Sequence, residues 1–168
     1  VYKRQYRSAH MVIFINYEDF YEAIDEQIEQ TSTERPYFFS GYDCDSLALE
    51  GITDFTRDFL TFFAQRPHAI LELRTKSVRT HSLLDRDPLD NCVVAFSLTP
   101  SAIADVLEVG APPVARRIEA LGTLADRGWP IGLRFDPLLY HRNWREYYRD
   151  LFEAVFARLR TDRLHSVS

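Results

Sequence analysis

In this 168-residue chain, polar and ionisable side chains gather where short apolar runs stop. Asn16 follows Met11 to Ile15, Ser40-Gly41-Tyr42-Asp43-Cys44-Asp45 follows Tyr37 to Phe39, and Arg74-Thr75-Lys76 follows Ala69 to Leu73. Ser97 sits near the end of Cys92 to Leu98, and Asp136 follows Pro130 to Phe135. A lysine ammonium so placed can hold a carboxylate or a phosphate, and a charge pair partly shielded from water is stronger than one in bulk solvent. Position alone leaves Lys76 equally open to being an exposed lysine at the start of a helix. Cys44 divides the same way: as packing it is a small buried hydrophobe, and as chemistry it could donate a hydrogen atom or ligate iron. Cys92 begins a strand and reads as core.

Familiar enzyme signatures are missing. The chain has no G-x-x-x-x-G-K-[ST], no G-x-G-x-x-G, no H-E-x-x-H and no G-x-S-x-G. His10, His68, His81, His141 and His165 are scattered without metal-ligand spacing.

The elements that must position these residues follow from periodicity. The five apolar runs are short, bulky and without clean alternation, as expected of strands buried on both faces. Between them lie helical stripes: Phe20, Ile24 and Ile28; Ile52, Phe55, Phe59 and Phe62; Val114, Ile118, Leu121 and Ala125; Trp144, Tyr148, Leu151, Val155 and Leu159. Ser77 to Leu84 reads as a further short helix. Strand and helix in alternation imply parallel strands with right-handed crossovers, hence a doubly wound sheet or a (β/α) barrel, complete or partial. With no glycine-rich turn after any strand, the nucleotide-binding doubly wound sheet loses ground to the barrel. In either architecture the carboxyl ends of the strands share one mouth, so Asp43, Lys76, Ser97 and Asp136 are expected on a common rim.

Hydrophobic residues at 46% and charged residues at 27% exclude disordered, collagenous and coiled-coil chains. No apolar run approaches the roughly 18 residues of a spanning helix, so no membrane partner is expected. Two cysteines and no charged-then-apolar leader suit a reduced, cytoplasmic protein. Net charge is -5. It is unevenly spread, with ten basic and eighteen acidic groups in 1–112, but ten arginines and seven acids in 113–168. An arginine excess suits phosphate contact, and solvated helix faces explain it equally well. Tyr140, Trp144, Tyr147 and Tyr148 lie among Arg142, Arg145 and Arg149. They could stack on bases, but their helical spacing fits a buried stripe better. Residues 6–168 read as one partial-barrel domain, with Val1 to Gln5 set apart as foreign or unstructured. The start at Val and the strand-like His165 to Ser168 suggest an internal fragment.

An ordered set of stretches resembles the spore photoproduct lyase family of the radical S-adenosylmethionine (radical SAM) superfamily. They are Val12 to Asn16, Ser46 to Glu50, Leu73 to Ser77, Ala95 to Leu98, Glu108-Val109-Gly110 through Arg117 to Gly128 to Gly132, Asp136-Pro137 and Trp144. The resemblance implies an α/β fold, a partial (β/α)6 TIM-like barrel lacking the first strand and the cluster-binding loop that follows it. It implies S-adenosyl-L-methionine and a 4Fe-4S cluster as cofactors, the cluster cysteines lying outside this chain. It also implies a DNA lesion as substrate, DNA as partner, and a reductant such as flavodoxin or ferredoxin. By the same resemblance, Lys76 falls on a lysine that contacts the cofactor carboxylate and Ser97 on a serine near its ribose or methionyl part. Tyr42 occupies the hydrogen-donor position, with Cys44 two positions later as a second catalytic candidate. Asp43, Cys44 and Asp136 complete the cofactor-binding set. Two other readings are a radical SAM enzyme of different substrate and a degenerate, non-catalytic barrel that binds a nucleotide or a partner.

Overall fold

A computed structural model describes residues 2–4, 11–41 and 44–168. In chain order the elements are β1 (Tyr2–Arg4), β2 (Met11–Ile13), α1 (Tyr17–Gln30), β3 (Tyr37–Ser40), α2 (Glu50–Thr53), α3 (Phe55–Ala64), β4 (Ile70–Thr75) and α4 (His81–Leu84). β5 (Cys92–Ser97), α5 (Ser101–Leu107), α6 (Val114–Arg127), β6 (Ile131–Arg134), α7 (Trp144–Arg158) and β7 (Leu164–Val167) complete the chain.

Strands β3 to β7 form one parallel sheet in strict sequence order. Sequential order with right-handed crossovers places every connecting helix on one face and leaves no switch point, which is the arrangement of a barrel wall rather than of a doubly wound sheet. The packing agrees. Leu71, Leu73, Val94, Phe96, Ile131 and Leu133 join the apolar faces of the helices in a single core. Residues of the other parity, among them Glu72, Arg74, Ser97 and Arg134, lie on the opposite, lumenal face. Cys92 is fully buried in the helix-side core, as its position at a strand start suggests.

Local chemistry sets the boundaries. Helix α6 carries Val114, Ile118, Leu121 and Ala125 on its buried face and stops at Gly128, whose φ of 107° only glycine adopts freely. The Gly128 N–H reaches the Ala125 carbonyl and the Trp129 N–H the Leu124 carbonyl, satisfying the last turn. The Trp129 indole then donates to the Leu83 carbonyl at 3.2 Å, fixing α4 beneath α6. Tyr148 and Leu151 of α7 are buried, so that stripe is packing, while Tyr140 before it is 89% exposed.

Three expectations need correction. The run Met11 to Ile15 is not a member of the parallel sheet: β2 covers Met11–Ile13 only and pairs antiparallel with β1. An apolar run does not specify its partner strand, and the fifth parallel position is filled instead by β7. Ile52 leaves the stripe of Phe55, Phe59 and Phe62 because Asp54, at φ 47°, divides α2 from α3 and shifts the phase; Ile52 is 74% exposed. The helix expected over Ser77 to Leu84 begins only at His81. Helix α5, which periodicity did not signal, lies directly after β5.

Candidate functional site

At the carboxyl ends of β3, β4, β5 and β6 the backbone turns around a cavity of about 350 Å³, lined among others by Gly41, Cys44, Asp45, Lys76, Ser97 and Asp136. Gly41 makes the turn possible. Its φ is 89°, and a Cβ there would stand 2.6 Å from the Ser46 hydroxyl and 2.7 Å from the Cys44 carbonyl. The loop is stitched back to the sheet by the Ser46 hydroxyl donating to the Ser40 carbonyl at 2.6 Å and by the Ser46 N–H donating to the Arg74 carbonyl at 2.9 Å. Asp45 organises the rim. Its carboxylate accepts from the Thr75 hydroxyl at 2.6 Å, the Lys76 N–H at 2.6 Å and the Leu47 N–H at 2.9 Å.

Lys76 is held rather than free. Its ammonium donates to Glu108 Oε1 at 2.7 Å, an oxygen that also accepts from the Thr99 hydroxyl at 3.0 Å. Arg117 closes on Glu108 Oε2 at 2.6 Å and donates to the Pro112 and Ser97 carbonyls. The strand-end residues Lys76 and Ser97 are thus tied to one buried acid and one buried guanidinium. Burial pushes the Glu108 carboxyl up, but the hydrogen bonds from Lys76 and Arg117 outweigh it and hold the group below its ordinary value.

A second polar cluster lies on the lumenal face. Glu72 is fully buried and accepts from the Tyr37 hydroxyl at 2.8 Å, from Arg134 at 2.5 and 3.2 Å, and from Arg74 Nε at 3.1 Å. Burial raises the Glu72 carboxyl, and hydrogen bonds from Arg134, Tyr37 and Arg74 override it to keep the group ionised below its usual range. Burial, followed by the hydrogen bond to Glu72, raises the Tyr37 phenol and keeps it neutral. Gly132 leaves the room that Arg134 needs, since a Cβ there would meet the guanidinium at 3.0 Å.

Cys44, Lys76, Ser97 and Asp136 therefore share one cavity. Tyr42 and Asp43 lie outside the described residues. Asn16 is not on the rim: it precedes α1 and its amide donates to Asp19 at 2.6 Å. Sequence reasoning missed Glu108, Arg117, Glu72 and Arg134. The available signal was a charged residue inside an otherwise apolar strand, Glu72 in β4 and Arg134 in β6, with opposite charge. Among the described residues no group of three or more His, Cys, Asp or Glu is placed to hold a metal ion.

A one-sided parallel sheet with its polar groups collected at the carboxyl ends defines a partial (β/α) barrel with a binding mouth. The chain belongs to the spore photoproduct lyase family, whose family model it matches over residues 6–168. The spore photoproduct lyase of Bacillus subtilis (strain 168) is 26% identical over 155 residues, spanning 92% of this chain and 45% of that protein. The spore photoproduct lyase of Geobacillus sp. (strain Y412MC61) is 20% identical over 147 residues, spanning 88% and 43%. The chain thus spans just under half the length of these relatives. A solved spore photoproduct lyase complexed with dinucleoside spore photoproduct superposes with a TM-score of 0.84 at 19% identity, over 90% of this chain and 45% of that one. A doubly substituted variant with bound AdoMet and the same dinucleoside gives 0.83, over 89% and 44%. The structural likenesses establish the fold as that of the solved spore photoproduct lyases, a TIM-like partial barrel over this half of their length.

Proposed function

We propose that this chain forms the cofactor-holding wall of a radical SAM lyase that repairs a thymine lesion in DNA. The observation that supports it is the single rim cavity on which Lys76, Ser97, Cys44 and Asp136 converge from separate strand ends. The donor set suits a zwitterionic adenosyl cofactor. Lys76 offers an ammonium for its carboxylate, Ser97 a hydroxyl for its ribose or methionyl part, and Asp136 a carboxylate for its cationic or hydroxylated portions. Glu108 keeps the ammonium aimed by a bond it can share with an incoming carboxylate. Tyr42 and Asp43 belong to the same proposed set, Tyr42 as hydrogen donor and Cys44, two positions later in the sequence, as the second catalytic candidate.

When bound, S-adenosyl-L-methionine and a 4Fe-4S cluster supply a 5'-deoxyadenosyl radical, and the cluster's ligands under this reading are not among the residues described. The chain's own part is to bind, orient and shield. A reductant such as flavodoxin or ferredoxin and a cytoplasmic setting belong to the same reading; no described helix is long and apolar enough to cross a membrane.

Calorimetric titration of the chain with S-adenosyl-L-methionine tests it. Binding is expected, weakened about tenfold or more in Lys76→Ala, as for loss of one charge-assisted hydrogen bond. Anaerobic reconstitution of the full-length protein should then yield 5'-deoxyadenosine on reduction. Cleavage of the cofactor without repair of lesion-bearing DNA points to a different substrate, and absence of both cofactor binding and cleavage points to the non-catalytic barrel.

A further inference from the structure

The lumenal cluster holds two guanidinium groups against one carboxylate, and the two arginines are not equivalent. Arg134 is saturated. Its five N–H groups have five acceptors: both Glu72 oxygens, the Leu133 carbonyl at 3.1 Å, the Ser166 carbonyl at 3.4 Å and the Ser166 hydroxyl at 2.9 Å. Among the described residues the Arg74 guanidinium has Glu72 as its one acceptor, through Nε and Nη2, both at 3.1 Å. Its Nη1 has no partner among the described residues. Arg134 is 6% exposed and already neutralises Glu72, whereas the Arg74 side chain is 26% exposed and lies over the Phe39 ring at 6.0 Å. The surplus positive charge of the cluster therefore sits on Arg74. It lines a lumenal cavity of about 300 Å³, and the same residue contributes to the wall of the rim cavity.

A guanidinium fixed at its inner edge by a buried carboxylate and open at its outer edge is preorganised for a planar or tetrahedral oxyanion. We infer that Arg74 binds an anionic phosphodiester of the substrate in the lumen, beside the cofactor rim, with the exposed face of Phe39 supporting the adjoining base or sugar. This rests on the proposed nucleic-acid substrate and narrows it to one that keeps its internucleoside phosphate. Lys76 and Arg74 then divide the anions between them, the first taking the cofactor carboxylate and the second the substrate phosphate.

The experiment compares binding of the thymidine dinucleotide with its phosphodiester and of the neutral methylphosphonate analogue, to the wild-type chain saturated with S-adenosyl-L-methionine, by fluorescence titration. The wild type should prefer the charged form by about tenfold, the preference should vanish in Arg74→Gln, and Arg74→Lys should restore part of it. Cofactor affinity should fall less in Arg74→Gln than the roughly tenfold expected of Lys76→Ala, which distinguishes this contact from the Lys76 contact. Equal binding of the two dinucleotides by the wild type, no binding of either, or a preference that survives in Arg74→Gln overturns the inference while leaving cofactor binding intact. Loss of cofactor affinity in Arg74→Gln with the dinucleotide preference retained assigns Arg74 to the cofactor instead. Loss of cofactor binding in the wild type removes the underlying functional reading itself.

Discussion

The rim and the lumen each contain a buried carboxylate shared by two cations, and the cations differ in the same way in both places. At the rim, Glu108 is held by Arg117, 1% exposed, and by Lys76, 40% exposed. In the lumen, Glu72 is held by Arg134, 6% exposed, and by Arg74, 26% exposed. In each pair the enclosed arginine neutralises the acid, and the outer cation keeps capacity for something else. The comparison teaches that a buried acid here aims a cation as well as stabilising the fold. A lone lysine or arginine at a strand end would wander over several rotamers, losing about 2 kcal/mol of rotamer entropy on fixing. One anchored to a rigid carboxylate has already lost that freedom before a ligand arrives.

The sharpest way to break the parallel is to remove the inner cations. Arg134→Met and Arg117→Met should each cost about 3 kcal/mol in urea unfolding, since each removes the enclosed cation and leaves the carboxylate only its outer, partly solvated one. If Arg74→Gln or Lys76→Ala proves as costly as these, the division into structural and ligand-facing cations fails. The acid limb comes next. Both carboxyls titrate below the ordinary 4.5 in the folded chain and near that value when unfolded, so their stabilisation is complete above about pH 4.5 and is lost as pH falls through the folded values. Urea midpoints measured from pH 6 downward should decline there, and Glu72→Gln combined with Glu108→Gln should flatten that decline.

The Gly41→Ala substitution separates the two regions differently. The left-handed φ and the contacts under 3 Å with Ser46 and Cys44 should cost about 1–2 kcal/mol and weaken cofactor binding, with the lumenal dinucleotide preference unchanged. An equal loss at both sites would show that rim and lumen move as one unit. The smallest effect belongs to the outer cations: Arg74→Gln and Lys76→Ala should each change stability by about 1 kcal/mol or less, as partly solvated ion pairs do.

Much of this arrangement is legible in the residues themselves. Four of the parallel strands announce themselves as bulky apolar runs, and the polar residues at their ends identify the mouth because a one-sided parallel sheet has only one place to put them. What periodicity cannot supply is partnership. Met11 to Ile15 reads like the other runs, yet its β2 segment pairs with Tyr2–Arg4, while Leu164–Val167, carrying a histidine and a serine, completes the sheet. Helix α5 begins after Pro100 with a mixed, mostly exposed face, so no apolar stripe marks it. Glu72 and Arg134 are 62 positions apart in the chain, and only the registers of β4 with β5 and β5 with β6 bring them within bonding distance. Glu108 lies in a stretch that resembles the family, but nothing in its neighbours foretells that it turns toward Lys76.

The contrast between the two cysteines follows from the same one-sided sheet. Cys92 lies wholly beneath the helices, where burial pushes its thiol far above the usual range and denies it a thiolate at any physiological pH. Cys44, half-buried at the mouth, faces whatever the cavity admits. Of the two cysteine thiols, an electrophile added to the folded chain therefore meets Cys44 first, and alkylation of Cys92 records that the barrel wall has come apart.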